Sequence, residues 1–311
     1  MNRDRLARWI YPTVGILLLI FSIYILQKEL GRYSLDDIIK GISQISDRQL
    51  LFALWFAFAD YLVISCYDLI AFYKLDRYLD LKRILFTTFI TYAVSNTTGF
   101  TLLIGGAIRY RFYSLWGVPN KIIAKITALS NLTFWLGLST LGGITFLVNP
   151  LQLPSTLLIQ TTAMRYLGIF ALILVEIYLY FCCKRKSLKI KGKIFRFPKL
   201  TTSLGQITVF SLDWAFAAAV LYCLVPSYAD KSYLQFFSIY LVAMAASIMS
   251  NIPGGIGVFE TVIIFLLPES IFKPDILSSL LVYRSIRFLI PLAIALLFLC
   301  CFELRHRTSK K

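Results

Sequence analysis

Eight ionisable side chains sit inside stretches that are otherwise apolar enough to enter a bilayer: Asp60, Asp68, Arg109, Glu176, Asp213, Glu260, Arg284 and Arg287. A charge at membrane depth is costly and persists where it pairs with another charge, lines a polar cavity or serves a ligand. Arginine presents planar, bidentate donors that suit a phosphate. The carboxylates could hold a cationic group, relay protons, or neutralise the arginines. For each of the eight the alternative is an internal ion pair that fastens helices together. Arg109 closes the run Gly105-Gly106-Ala107-Ile108-Arg109, beside a glycine pair. Arg284 and Arg287 are three residues apart, on one helix face, with Pro291 following. Glu176 has no counterpart in the first half of the chain.

These charges need elements to place them, and one stretch stands out. Ser250-Asn251-Ile252-Pro253-Gly254-Gly255-Ile256-Gly257-Val258-Phe259-Glu260 interrupts the apolar run 234–267 with a proline, three glycines and an acid. Helix breakers at membrane depth release backbone N–H and C=O groups that lipid cannot satisfy. A broken, re-entrant element lining a polar cavity accounts for this better than a kinked helix. Gly254 and Gly255 would bare backbone amides there, and broken-helix N-termini attract anions. A second segment, 84–108, is broken in the same way by Ser95-Asn96-Thr97-Thr98-Gly99, so both carry Ser-Asn-x-x-Gly, 155 residues apart.

The remaining apolar segments are Trp9–Leu26, Leu50–Tyr73, Ile122–Val148, Met164–Cys183, Leu204–Val225 and Leu277–Leu304. Spans one and five, and four and eight, again start 155 residues apart, and spans two and six 154 apart. This regularity predicts an internal repeat, with unit one at about 9–148 and unit two at about 164–304 of a single membrane domain, 1–311. The chain is 58% hydrophobic and 15% charged, with mean hydropathy +0.73. Those values exclude a soluble domain of useful size.

Charge sets the orientation. If segments three and seven enter and leave on the same side, the regions facing the cytoplasm hold 23 Lys and Arg and those outside hold 6. If each crosses once, the Lys/Arg-free loop Asn149–Ala163 becomes cytoplasmic and the loop Lys184–Lys199, with eight, becomes external. That would invert the positive-inside rule. The expected fold is therefore an all-α polytopic membrane protein of two inverted repeats: six transmembrane helices and two re-entrant broken-helix hairpins, with both termini cytoplasmic. Discontinuous helices in inverted repeats are a transporter architecture. The net charge of +16 fits anionic lipid rather than nucleic acid. No ATPase phosphate loop, dinucleotide fingerprint, hydrolase motif or metal-ligand spacing is present. The six cysteines show no C-x-x-C, so no cofactor, metal or disulfide framework is expected.

Several stretches together resemble a known family. They are Ser65-Cys66-Tyr67-Asp68, Gly99 through Arg109, Asp213-Trp214 with Ala217–Leu221, Ile252–Glu260, and Tyr283-Arg284 with Pro291. The chain is similar over nearly its whole length to the flippase region of the lysylphosphatidylglycerol flippase/synthetases, the multiple-peptide-resistance family, in a stand-alone form. The resemblance implies movement of anionic or aminoacylated phospholipid between leaflets of a bacterial plasma (inner) membrane. It implies functional roles for the positions of Asp68, Arg109 and Asp213; the last stands where the family more often has Glu. Bifunctional members continue into a synthetase domain, and this chain ends at Lys311. It is accordingly expected to move lipid rather than to act as an enzyme. The expected substrate-binding set is Asp68, Arg109, Asp213, Glu260, Arg284, Gly254 and Gly255, with Arg109 and Arg284 holding the headgroup in a midplane cavity. The alternative is a membrane subunit or enzyme that binds or modifies a phospholipid or presents it to a soluble partner. A homo-oligomer is compatible with either.

Overall fold

The computed structural model describes residues 35–98, 101–148, 161–184, 187–190, 193–225, 232–250, 252–267 and 271–308. The first expected span, Trp9–Leu26, lies outside the described residues, as do Gly99, Asn251 and most of the loop Asn149–Ala163.

In chain order the helices are α1 (Leu35–Ser43), α2 (Asp47–Lys74), α3 (Leu81–Thr98), α4 (Thr101–Leu115), α5 (Asn120–Val148) and α6 (Thr161–Cys183). After a short hairpin come α7 (Leu200–Leu224), α8 (Tyr233–Ser250), a 3₁₀ turn (Pro253–Gly255), α9 (Val258–Leu266) and α10 (Lys273–Arg284). A π turn (Ser285–Leu289) then joins α10 to α11 (Ile290–Thr308). Pro291 explains that turn. It cannot donate to the carbonyl four residues back, and its ring clashes there, so the preceding turn widens.

Among the described residues six helical stretches are long and apolar enough to cross a membrane: Asp47–Lys74, Asn120–Val148, Thr162–Cys183, Leu200–Leu224, Tyr233–Ser250 and Lys273–Arg305. The chain is a multi-pass helical membrane protein. Five of these stretches match spans expected from sequence. The sixth, Tyr233–Ser250, is the first arm of the second broken segment; at 18 residues it is about 27 Å long, the lower edge of what a bilayer needs.

Each of the two segments contains two described helices. Helix α3 ends at Thr98, and α4 begins at Thr101. Helix α8 ends at Ser250, and α9 begins at Val258 after the glycine turn. The arms of the first break, 18 and 15 residues, are longer than the apolar pattern alone predicts. Lys82, Arg83 and the stretch from Arg109 to Leu115 continue the helices past the apolar edges, because good helix formers need not be apolar.

One departure from an all-helical chain is the antiparallel pair β1 (Ser187–Ile190) and β2 (Lys193–Arg196), with Ser187 opposite Arg196 and Ile190 opposite Lys193. It lies in the basic loop 184–199. The first strand, Ser-Leu-Lys-Ile, alternates polar and apolar residues, a strand signal that the charge run obscures; the second, Lys-Ile-Phe-Arg, does not alternate.

The chain forms two compact units, with boundaries inside α2, α3, α4 and α7. One unit comprises residues 58–91 and 105–216. Its core gathers Ala71, Phe72, Ile84, Tyr113, Ile123, Ile126 and Leu129. Helices α5 and α6 approach at Gly143 and Gly168, where a Cβ on Gly168 would stand 2.9 Å from the Gly143 carbonyl oxygen. Small residues at such crossings are the usual way membrane helices gain contact. Helix α6 is only 17% buried within the protein, whereas α7, which carries Asp213, is 50% buried.

The other unit comprises residues 1–57, 92–104 and 217–311. There α1 packs on α10, with the Ser278 hydroxyl donating to the Ile38 carbonyl at 2.9 Å. Tyr240, Phe259 and Tyr283 form its aromatic centre: the two tyrosine hydroxyls are 2.9 Å apart, and Phe259 stacks on Tyr283 at 5.7 Å.

Candidate functional site

The charged residues sort into clusters that differ in how closed they are. The first is built on Asp68 of α2. The Arg109 guanidinium donates from Nε to both carboxylate oxygens at 3.1 and 2.9 Å and from Nη2 to Oδ1 at 2.9 Å. The Tyr113 hydroxyl donates to Oδ2 at 2.7 Å and the Ser130 hydroxyl to Oδ1 at 3.0 Å. Arg109 and Tyr113 are four residues apart on α4, so one helix face delivers both. Asp68 is 0% exposed and Arg109 1%. A buried carboxylate with this many donors is held in one orientation, and its charged partner is the arginine.

The next residue on α2, Tyr67, reaches another acid. Its hydroxyl donates to Asp213 Oδ2 at 2.8 Å. Asp213 is 7% exposed. Phe210, one turn earlier on α7, stacks on Trp214 at 5.3 Å, and the Phe210 ring lies 6.4 Å from the Tyr67 ring. Consecutive residues of α2 thus engage α4 and α5 through Asp68 and α7 through Tyr67. Asp60 is also buried on α2, two helical turns before Asp68.

The second charged pair belongs to the other unit and is more open. Arg284 of α10 pairs through Nε with Glu260 Oε1 of α9, and the side chains are 19% and 12% exposed. Arg284 Nη1 also donates to the Gly254 carbonyl at 3.0 Å, and its guanidinium lies 5.6 Å from the centre of the Phe288 ring. Glu260 is not committed to arginine alone: its Oε2 accepts the Gly257 N–H at 2.8 Å, capping the start of α9. The turn between them is left-handed at Gly254 (φ 61°) and Gly255 (φ 60°). A Cβ on Gly254 would stand 2.8 Å from the Thr97 carbonyl oxygen, near the end of α3. The two Ser-Asn-x-x-Gly breaks therefore meet: the first contributes a carbonyl from a helix C-terminus, the second a bare glycine turn.

The seven sequence-predicted residues are thus divided. Asp68 and Arg109 share one closed cluster, Asp213 is tied to Tyr67, and Gly254, Glu260 and Arg284 converge on one turn, with Gly255 packed beneath against Ser247. Arg109 and Arg284 fall in different compact units. Arg284 and Arg287 both lie against the Phe288 ring, at 5.6 and 5.5 Å from its centre. Glu176 is exposed on α6. Sequence reasoning passed over Tyr113 and Ser130, and it quoted Tyr67 and Thr97 within motifs without giving either a role. The i,i+4 spacing of Arg109 and Tyr113 was the legible signal; Ser130 and the Thr97 carbonyl had none, since their roles depend on which helices touch. Among the described residues no group of three His, Cys, Asp or Glu could hold a metal ion.

A family model described as the lysylphosphatidylglycerol synthase TM region matches residues 9–295. The chain is 40% identical over 302 residues to the uncharacterized protein slr0712 of Synechocystis sp., covering 96% of this chain and 93% of that one. It is 32% identical over 312 residues to the inner membrane protein YbhN of Escherichia coli, covering 99% and 95%. It is 27% identical over 300 residues to phosphatidylglycerol lysyltransferase of Staphylococcus aureus, covering 96% of this chain and 34% of that enzyme. The matched region contains both charged clusters and both helix breaks, and on that extent the chain belongs to the family of lysylphosphatidylglycerol synthase transmembrane regions.

Proposed function

We propose that this protein translocates a phospholipid with an anionic or aminoacylated headgroup between the leaflets of a bacterial inner membrane. The observation that carries the reading is the Arg284–Glu260 pair. It is a partly exposed ion pair on a non-helical glycine turn inside a membrane protein, where unpaired backbone and charge are otherwise costly. A phosphate would meet Arg284 there while its acyl chains stay in the bilayer. Arg109 is enclosed with Asp68 and would meet a headgroup only after that cluster opens. Asp68, Asp213 and Glu260 balance the arginines and suit an amine on the headgroup. Two inverted repeats rocking against one another, with the two breaks as re-entrant hairpins, would alternate access to the site.

The test is a sidedness assay. Purified protein in vesicles should redistribute a labelled phosphatidylglycerol or its aminoacylated form between leaflets without changing its mass. Arg284→Ala should slow that movement at least about tenfold, equivalent to about 1.4 kcal/mol, measured on protein that remains folded in detergent. A second reading is suggested by the S. aureus relative, in which a region like this chain is about a third of a lysyltransferase: the protein presents lipid to a soluble partner or helps modify it. A new lipid species, or no redistribution despite lipid binding, would favour that reading.

Orientation has its own test. With the six native cysteines replaced, a cysteine at Ser155 should react with an impermeant reagent from outside and one at Ser187 only from inside. The reverse pattern would mean that the first broken segment crosses the membrane.

A further inference from the structure

We propose that Glu260 is a built-in competitor for the site's ligand: its carboxylate occupies the place at Arg284 and the Gly257 amide that a headgroup phosphate takes. The inference rests on the lipid-binding reading above and adds to it a self-occupied resting state.

The geometry carries it in three steps. First, the donors that hold Glu260 are those that hold a phosphate. Arg284 Nε binds one carboxylate oxygen and the Gly257 N–H binds the other, at the start of a nine-residue helix. Second, Arg284 does not depend on Glu260 for its orientation. Nη1 is bonded to the Gly254 carbonyl at 3.0 Å and the guanidinium lies against Phe288, so both anchors remain if the carboxylate leaves. The two Nη2 protons have no hydrogen-bond partner among the described residues and are free for an incoming anion. Third, the pair is partly exposed, at 19% and 12%, whereas the Arg109–Asp68 pair, at 1% and 0%, is closed and carries further donors from Tyr113 and Ser130. Exchange of one anion for another at Arg284 leaves the arginine paired and Gly257 capped throughout. The released Glu260 side chain is then the group that an amine on the headgroup, or a proton, would neutralise.

The sign of one mutation separates this role from the others. A co-ligand or a structural partner weakens binding when removed; a competitor strengthens it. The full chain in detergent is titrated with water-soluble dihexanoyl phosphatidylglycerol and, separately, with inorganic phosphate. Glu260→Gln should bind the short-chain lipid roughly tenfold more tightly than wild type, an effect of the size expected for a lost competing charge. Glu260→Asp, which keeps the charge and shortens its reach, should fall between them and carries the test if Glu260→Gln does not fold. Adding Arg284→Ala to Glu260→Gln should abolish the gain. Saturation by inorganic phosphate at similar concentrations would support the exchange and assign it to free phosphate; a response to the lipid alone would assign it to a headgroup. Unchanged or weaker binding in the folded Glu260 variants overturns the proposal. If wild type still redistributes lipid in vesicles, that failure leaves translocation standing; if the variants tighten but no lipid moves, translocation is what fails.

Discussion

Asp68→Asn should lower the stability of the protein by about 3–5 kcal/mol, the usual cost of removing one member of a buried ion pair. The substitution keeps the shape and some of the hydrogen bonds but removes the buried negative charge that Arg109, 1% exposed, pairs with. Tyr113 and Ser130 donate to the same carboxylate, and an amide nitrogen on one side would turn a donor toward a donor. Arg109→Ala should be comparably damaging, because it leaves a fully buried carboxylate. The double variant Asp68→Leu with Arg109→Met removes both charges and should recover part of the loss, since apolar groups can replace a buried pair at little cost while the Tyr113 and Ser130 hydroxyls still lose their acceptor. Unfolding in detergent, followed by helical signal against temperature or denaturant, reads all three. A single variant as stable as wild type would show that this cluster does not hold α2 to α4. The double variant also separates stability from transport. If it folds and still moves lipid, Arg109 is structural; if it folds and does not, the cluster takes part in the cycle.

Gly255→Ala is the second large effect. Its backbone is left-handed, at φ 60°, where an L side chain costs about 1–2 kcal/mol. The added methyl would also be driven into the Ser247 side chain of α8, and overpacking adds typically about 1–3 kcal/mol. The turn cannot yield easily, since the Gly255 N–H is bonded to the Ile252 carbonyl at 2.9 Å and the Arg284 guanidinium holds the Gly254 carbonyl. Gly255→Ala should therefore unfold earlier and lose lipid movement together. Adding Ser247→Gly should return the steric part and leave the backbone strain, so a partial recovery in stability is expected. Full recovery would mean that the left-handed backbone is not required; no recovery would mean that Ser247 is not the obstacle.

The same residues show where legibility ended. That the chain crosses a membrane several times, and that two apolar runs carry related Ser-Asn-x-x-Gly interruptions, followed from apolar run lengths and from helix-breaking residues whose freed backbone groups lipid cannot satisfy. Those are local properties: the turn 253–255 appears where they predict, and the helices 81–98 and 101–115 contain the expected arms but run past their apolar edges. Asp68, Arg109, Asp213, Glu260 and Arg284 were likewise visible, because a charge in an apolar run is conspicuous whatever it touches.

Pairing was not legible. Nothing local says that Arg109 belongs to Asp68, 41 residues away, rather than to a ligand, or that Arg284 meets Glu260 across 24 residues. Nor does the sequence show that one pair is closed by Tyr113 and Ser130 while the other stays partly open. The hairpin at 187–196 was missed for a related reason: eight basic residues in the loop 184–199 drew attention to charge, and only the first of the two short strands alternates. The amino-acid sequence by itself determined which segments could live in lipid, because bilayer insertion is a sum over neighbouring residues. Only the tertiary structure decided which charge answers which, because an ion pair depends on a few ångströms between helices that lie far apart along the chain.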